Sequence, residues 1–215
     1  MNEMLLLAVL VLNVLISIWN CYAVGTAWKD TMSIGGVFNK LVLWSAVIQS
    51  GIGFSMPILI GLTYVSVSYL TSGTDPSLTA EEGRQMIQWI FSLWYVAVIF
   101  PILGSGMAIW AHSLRVAYQR RDFSSIAAAG WNSYAQIHNM VSAAHNLGGA
   151  LGNVGELFAA AMKGKSNGKG KVAILVLMLV AISLAGGFMI AFGLVRYFAS
   201  RAESRVEQYA RHEFA

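Results

Sequence analysis

Charge is absent from long blocks of this chain: no Asp, Glu, Lys or Arg lies between Glu3 and Lys29, Lys40 and Asp75, Arg84 and Arg115, Asp122 and Glu156, or Lys171 and Arg196. Four of these gaps are strongly apolar, and each is longer than the roughly 20 residues a helix needs to cross a hydrocarbon layer. In lipid every backbone group must be satisfied internally, which leaves helices and closed barrels. The apolar runs here lack the period-two alternation of barrel strands. The expectation is an all-α integral membrane protein with about four transmembrane helices, near 4–27, 41–70, 86–118 and from 172, plus a central amphipathic helix and a helical C-terminal tail. At 57% hydrophobic and 11% charged, the composition lies well outside the soluble range and agrees with that class.

A net charge of +4 invites a nucleic-acid reading. The basic residues cluster beside the apolar runs, however, where they orient a membrane protein, so no nucleic-acid partner is expected. The expected surroundings are membrane lipid and other membrane chains, either copies of this one or different subunits. For a bacterial chain the location would be the cytoplasmic (inner) membrane. The run before the first apolar stretch holds Glu3 and no Lys or Arg. That is unlike the positive start of a signal peptide and predicts a retained first span.

Local signals set the boundaries. Ser72 to Ser77 reads as a turn, and Thr79-Ala-Glu-Glu82 fits a capping box, so the third helix begins before its apolar stretch. Residues 163–171, KGKSNGKGK, read as a flexible basic linker. Beyond it the tail spaces Phe198, Ala202, Val206 and Tyr209 at helical intervals.

The segment 123–162 repeats every seven residues, placing Asn132, Asn139, Asn146 and Asn153 at one position and His138 and His145 at the position before. On a helix, Ile137, Met140, Val141, Ala144, Leu147, Leu151, Val154 and Phe158 form an apolar stripe nearly opposite the asparagines. An uncharged polar face of this length suits contact with another protein, the lining of a narrow aqueous passage, or simple wetting in the headgroup region. Four asparagines are costly in lipid, which predicts that residues 123–171 stay on one side without crossing. Gly148 and Gly152 have the spacing that lets two helices approach closely, or they mark a break. Two short echoes, Trp19-Asn-Cys-Tyr-Ala23 with Trp131-Asn-Ser-Tyr-Ala135 and Ile34-Gly-Gly-Val-Phe38 with Leu147-Gly-Gly-Ala-Leu151, raise the possibility of an old duplication.

Inside the predicted spans, Asn13, Ser17 and Asn20 share a helix face, and Ser45 and Gln49 lie four apart. Such groups face protein or water rather than lipid, either as interhelical glue or as a permeation path. Pro57 and Pro101 sit at similar distances from the turn between their helices, which predicts kinks at a shared depth. His138 and His145, two turns apart, are too distant to chelate one metal unaided, so no metal is expected. The single cysteine, Cys21, reads as a packing residue. No Asp, Glu or Lys lies within a span, Arg115 stands three residues from the end of the third, and no nucleophile with a base, phosphate loop or carboxylate pair stands out. Those features predict a non-enzymatic chain without a cofactor: a structural or partner-recognition subunit of a larger membrane assembly, of which secretion, conjugation and viral systems are examples. A small neutral-solute channel or transporter is the alternative, and a membrane enzyme with a histidine metal site the third.

Overall fold

The computed structural model describes residues 3–72, 78–163 and 168–202. It holds five helices: α1 (Glu3–Ile34), α2 (Val37–Thr71), α3 (Ala80–Arg120), α4 (Phe123–Met162) and α5 (Gly168–Arg201). Among the described residues there is no strand. Four of the five helices, α1, α2, α3 and α5, are long and apolar enough to cross a membrane. The helical tail expected beyond α5 lies outside the described residues.

The helices exceed their apolar stretches. With 35 and 41 residues, α2 and α3 rise about 50 and 60 Å, well beyond the roughly 30 Å of a hydrocarbon core. Thr79 and Glu82 form the predicted capping box, with the Glu82 amide donating to the Thr79 hydroxyl at 3.2 Å and the Thr79 amide to the Glu82 carboxylate at 2.9 Å. Each bond satisfies an N–H left open at the helix start. Asp122 caps α4 in the same way, accepting from the Ser125 amide at 2.7 Å. The linker is shorter than expected, since α5 already begins at Gly168.

Two apolar clusters fix the helix directions. At one end Leu59 of α2, Met86 and Ile90 of α3, Leu157 of α4, and Ala173 and Val176 of α5 are fully buried together. Toward the other end Cys21 and Val24 of α1 meet Leu43 and Val47 of α2 and Ala191 and Val195 of α5. We call the second end the basic end. Helices α1, α3 and α5 run toward it, while α2 and α4 run away from it. The tightest crossing is between α2 and α5, where a Cβ on Gly187 would strike the Gly51 carbonyl and the Ser55 amide. Gly186 meets only the Ile58 side chain, and Gly193 faces open space.

Helix α4 runs along the length of the bundle rather than across one end, although it is not among the four helices long and apolar enough to cross a membrane. It begins beside the C-terminus of α3 and ends in the cluster at the N-termini of α3 and α5. Because α3 and α5 are parallel, the segment joining them has to return along the full length of the bundle. The return is zipped to α3 by polar side chains. Trp110 donates to Ser133 at 2.7 Å, Gln136 to the Leu103 carbonyl at 3.3 Å, Tyr95 to the Ser142 carbonyl at 3.1 Å, and Asn153 to Ser92 at 2.8 Å.

The shared-depth reading of the two prolines also fails. Pro57 lies 14 residues before the end of α2 at Thr71, but Pro101 lies 21 residues after the start of α3 at Ala80. At 1.5 Å per residue the offset is about 10 Å, because α3 starts six residues before its apolar stretch. The duplication finds no structural counterpart, since the chain turns at Gly35–Gly36 but α4 runs unbroken through Gly148 and Gly149.

Candidate functional site

One face of α2 carries Asn39 and Gln49. Asn39, Val42, Leu43 and Ala46 are followed at helical spacing by Gln49, Ile52, Gly53 and Met56. Helices α1 and α3 pack on either side of this face without extensive contact with each other. Two cavities therefore lie one after the other above α2. The outer one, about 610 Å³ at the basic end, is lined by Asn20 and Thr31 of α1, Asn39 of α2, and His112 and Arg120 of α3, over apolar residues. The inner one, about 290 Å³, lies midway along the bundle where α1, α2, α3 and α4 converge, and Asn13, Gln49, Trp94 and Asn139 line it. Further from the basic end the space is filled by the cluster around Leu59, Met86 and Ile90.

Residues singled out on two different segments of the sequence thus meet here: Asn13 and Gln49 from the intramembrane set, and Asn139 from the central stripe. Their roles differ. Pro57 has no N–H, so the carbonyl of Gly53, four residues earlier, lacks its helical donor. The Asn13 amide donates to that carbonyl at 3.4 Å. Ser17 donates to the Asn13 carbonyl at 2.8 Å, and its hydroxyl occupies the space a Cβ on Gly53 would need. Asn13 and Ser17 dock α1 onto the proline-interrupted turn of α2. Asn20 faces the outer cavity, and Ser45 is buried on α2. Cys21 is fully buried against the Ala191 carbonyl, as a packing residue would be.

The amides of Gln49 and Asn139 make no hydrogen bond among the described residues. Beside them stands Gln136, a residue the sequence reading missed although it lies three positions before Asn139 on the same helix face. Gln136 is 3% exposed, and its Oε1 is buried without a partner. This oxygen lies against Gly106, where any side chain would displace it, and the Gln49 amide nitrogen also comes near the space such a side chain would take. His112 Nδ1 is a second buried atom without a partner, at the outer cavity.

The central stripe is divided. Asn132, Asn139 and Asn153 are half-buried toward α3, beside a buried row of Ala129, Gln136, Ala143, Ala150 and Leu157 at spacings of seven. Asn146 is exposed and donates to Ser142 at 3.2 Å. His138 stacks on Tyr134 at 6.1 Å, and both it and His145 face outward. Gly148, Gly149, Gly152 and Gly155 also face open space. Ile137, Met140, Val141, Leu151 and Phe158 of the apolar stripe are exposed, so α4 turns its polar side in and most of its apolar side out. Among the described residues no three His, Cys, Asp or Glu side chains come together as a metal would require.

No protein-family model, curated protein or solved structure matches this chain.

Proposed function

We propose that the protein is a non-catalytic multi-pass membrane subunit that crosses the bilayer five times and associates with a second copy of itself through the outward face of α4. The inside-out character of α4 supports the fifth crossing. A helix with exposed large apolar side chains and amides turned toward its neighbour suits a lipid surround, where polar groups find partners only within protein. Among the described residues, seven of the eleven Lys and Arg belong to the basic end. The positive-inside tendency then puts that end in the cytoplasm and the N-terminus outside.

The observation that carries the association is the patch of His145, Asn146 and the four glycines on the outward side of α4. It lies between Ser142, whose carbonyl accepts from Tyr95, and the level of Asn153, which donates to Ser92, beside the first half of α3. Lipid tails satisfy neither imidazole nor amide, and glycines that meet nothing within the chain leave room for a second backbone. The patch is uncharged, and Gly148 and Gly152 repeat at four residues, so two copies of the same face fit each other without charge repulsion.

Two measurements test this. In a Cys21→Ala background, Ser124→Cys and Lys163→Cys should react with an impermeant thiol reagent from opposite sides of the membrane. Reaction from one side would restore four crossings. Gly152→Leu should leave the fold intact and convert a dimer in mild detergent to monomer. An unchanged mass, or a wild-type monomer, would remove the association.

A second reading, a protein that binds or moves a neutral solute, draws on the cleft over α2.

A further inference from the structure

We propose that the inner cavity is a binding site for a small uncharged molecule of the carboxamide class, reached through the outer cavity from the basic end. The inference deepens the solute reading and rests on it.

The site is built from amides that have no other use. The carboxamides of Gln49 and Asn139 offer donors and acceptors without partners. Beside the lining, one turn before Asn139, Gln136 keeps a buried acceptor without a partner among the described residues, against Gly106. An unmade hydrogen bond on a buried acceptor such as Gln136 Oε1 is costly, so an empty or lipid-filled cavity is disfavoured. What fits must present a donor and an acceptor close together, as a primary amide or a urea does, and must be neutral because no ionisable side chain lines the inner cavity. Trp94 supplies a flat apolar wall, its indole N–H being committed to Ser55 at 2.9 Å. The outer cavity, rimmed by Asn39, His112 and Arg120, is the way in from water. The filled cluster at Leu59 closes the way on, so the arrangement is a dead-end cleft rather than an open pore.

The test uses the full chain in native membranes with Cys21→Ala. Ile52→Cys and Met56→Cys each place a thiol in the inner cavity, and either suffices if the other misfolds. Both should react with a small water-soluble thiosulfonate applied from the basic-end side, whereas Leu59→Cys should not. Acetamide or urea at ten times its dissociation constant should slow the reaction about tenfold, by simple mass action. Glycerol at equal concentration should slow it less than twofold. Loss of the acetamide effect in Gln49→Leu, with labelling retained, would place the amide at that residue.

Three outcomes would overturn the proposal. Failure of both thiols to react would mean a cleft filled by lipid. Reaction that neither amide slows would mean a hydrated cleft without a site. Reaction only after detergent extraction would mean that another protein's helix fills it. None of these disturbs the sidedness or dimer measurements above, so failure of this site and failure of the membrane-subunit reading are told apart.

Discussion

The two halves of α2 are the same helix in different company. Around Leu59 aliphatic and aromatic side chains from four helices fill the space on its inward face, while Tyr64, Val65 and Tyr69 beyond it stay exposed. From Asn39 to Met56 the flanking helices stand apart on one face, and the gap carries amides, a hydroxyl and an imidazole. The difference teaches that polarity here follows packing. Where helices touch, buried hydroxyls such as those of Ser50, Ser55 and Ser183 bond within their own helix, and where they part Gln49 and Asn139 offer amides with no internal partner.

Substitutions that treat the two halves alike should break that comparison. The largest effect is expected at Leu59→Ala, which empties a fully buried position in the closed half and should cost about 2–5 kcal/mol in reversible unfolding from detergent. A loss under 1 kcal/mol would mean that this half is not close-packed. Next comes Asn13→Leu, which leaves the Gly53 carbonyl without a donor beside Pro57 and should cost about 1 kcal/mol. Asn20→Leu, on the same face of α1 but lining the open half, should cost less than half as much. Equal losses would show that the face works as a whole. Gln49→Leu should have the opposite sign, neutral or stabilising by up to about 1 kcal/mol, since it removes an amide that lacks a partner. A clear destabilisation would reveal a structural bond there.

The smallest effect concerns the turn where the open half meets water. The Ser125 backbone amide, and then its side chain, hold the Asp122 carboxyl below its usual range. A depressed folded pKa means that the contribution is present above the unfolded value of about 3.9 and fades as pH falls through the folded value. Asp122→Asn keeps the cap and should flatten the acid limb of the stability profile slightly. An unchanged limb would show that the cap carries no linkage.

The fold was largely legible. Charge gaps marked the four helices long and apolar enough to cross a membrane, because a charge in lipid is costly wherever it falls. Thr79 and Glu82 announced the start of α3 because a capping box is local chemistry. The bounds 123–162 coincide with α4 because seven-residue spacing needs only a helix to be read. The direction of the stripe was not legible. Periodicity says that amides and aliphatics occupy opposite faces of α4, and it is blind to which face meets protein. Asn13, Ser17 and Asn20 share one face of α1 by their spacing, yet the contact of the first two with Gly53 depended on where α1 crosses α2.

The sequence by itself determined that this chain is helical, apolar in four long stretches, and amphipathic without charge in a fifth, since these follow from composition and period alone. Only the tertiary structure decided that α3 and α5 are parallel, so that α4 must return between their ends. It also decided that Asn13, Gln49, Gln136 and Asn139 come together from three helices. Hydrogen bonds and cavities between segments depend on which helices are neighbours, and that choice is made by close packing at a few positions, such as Gly53, Gly106 and Gly187, whose meaning appears only when the partner backbone is in place.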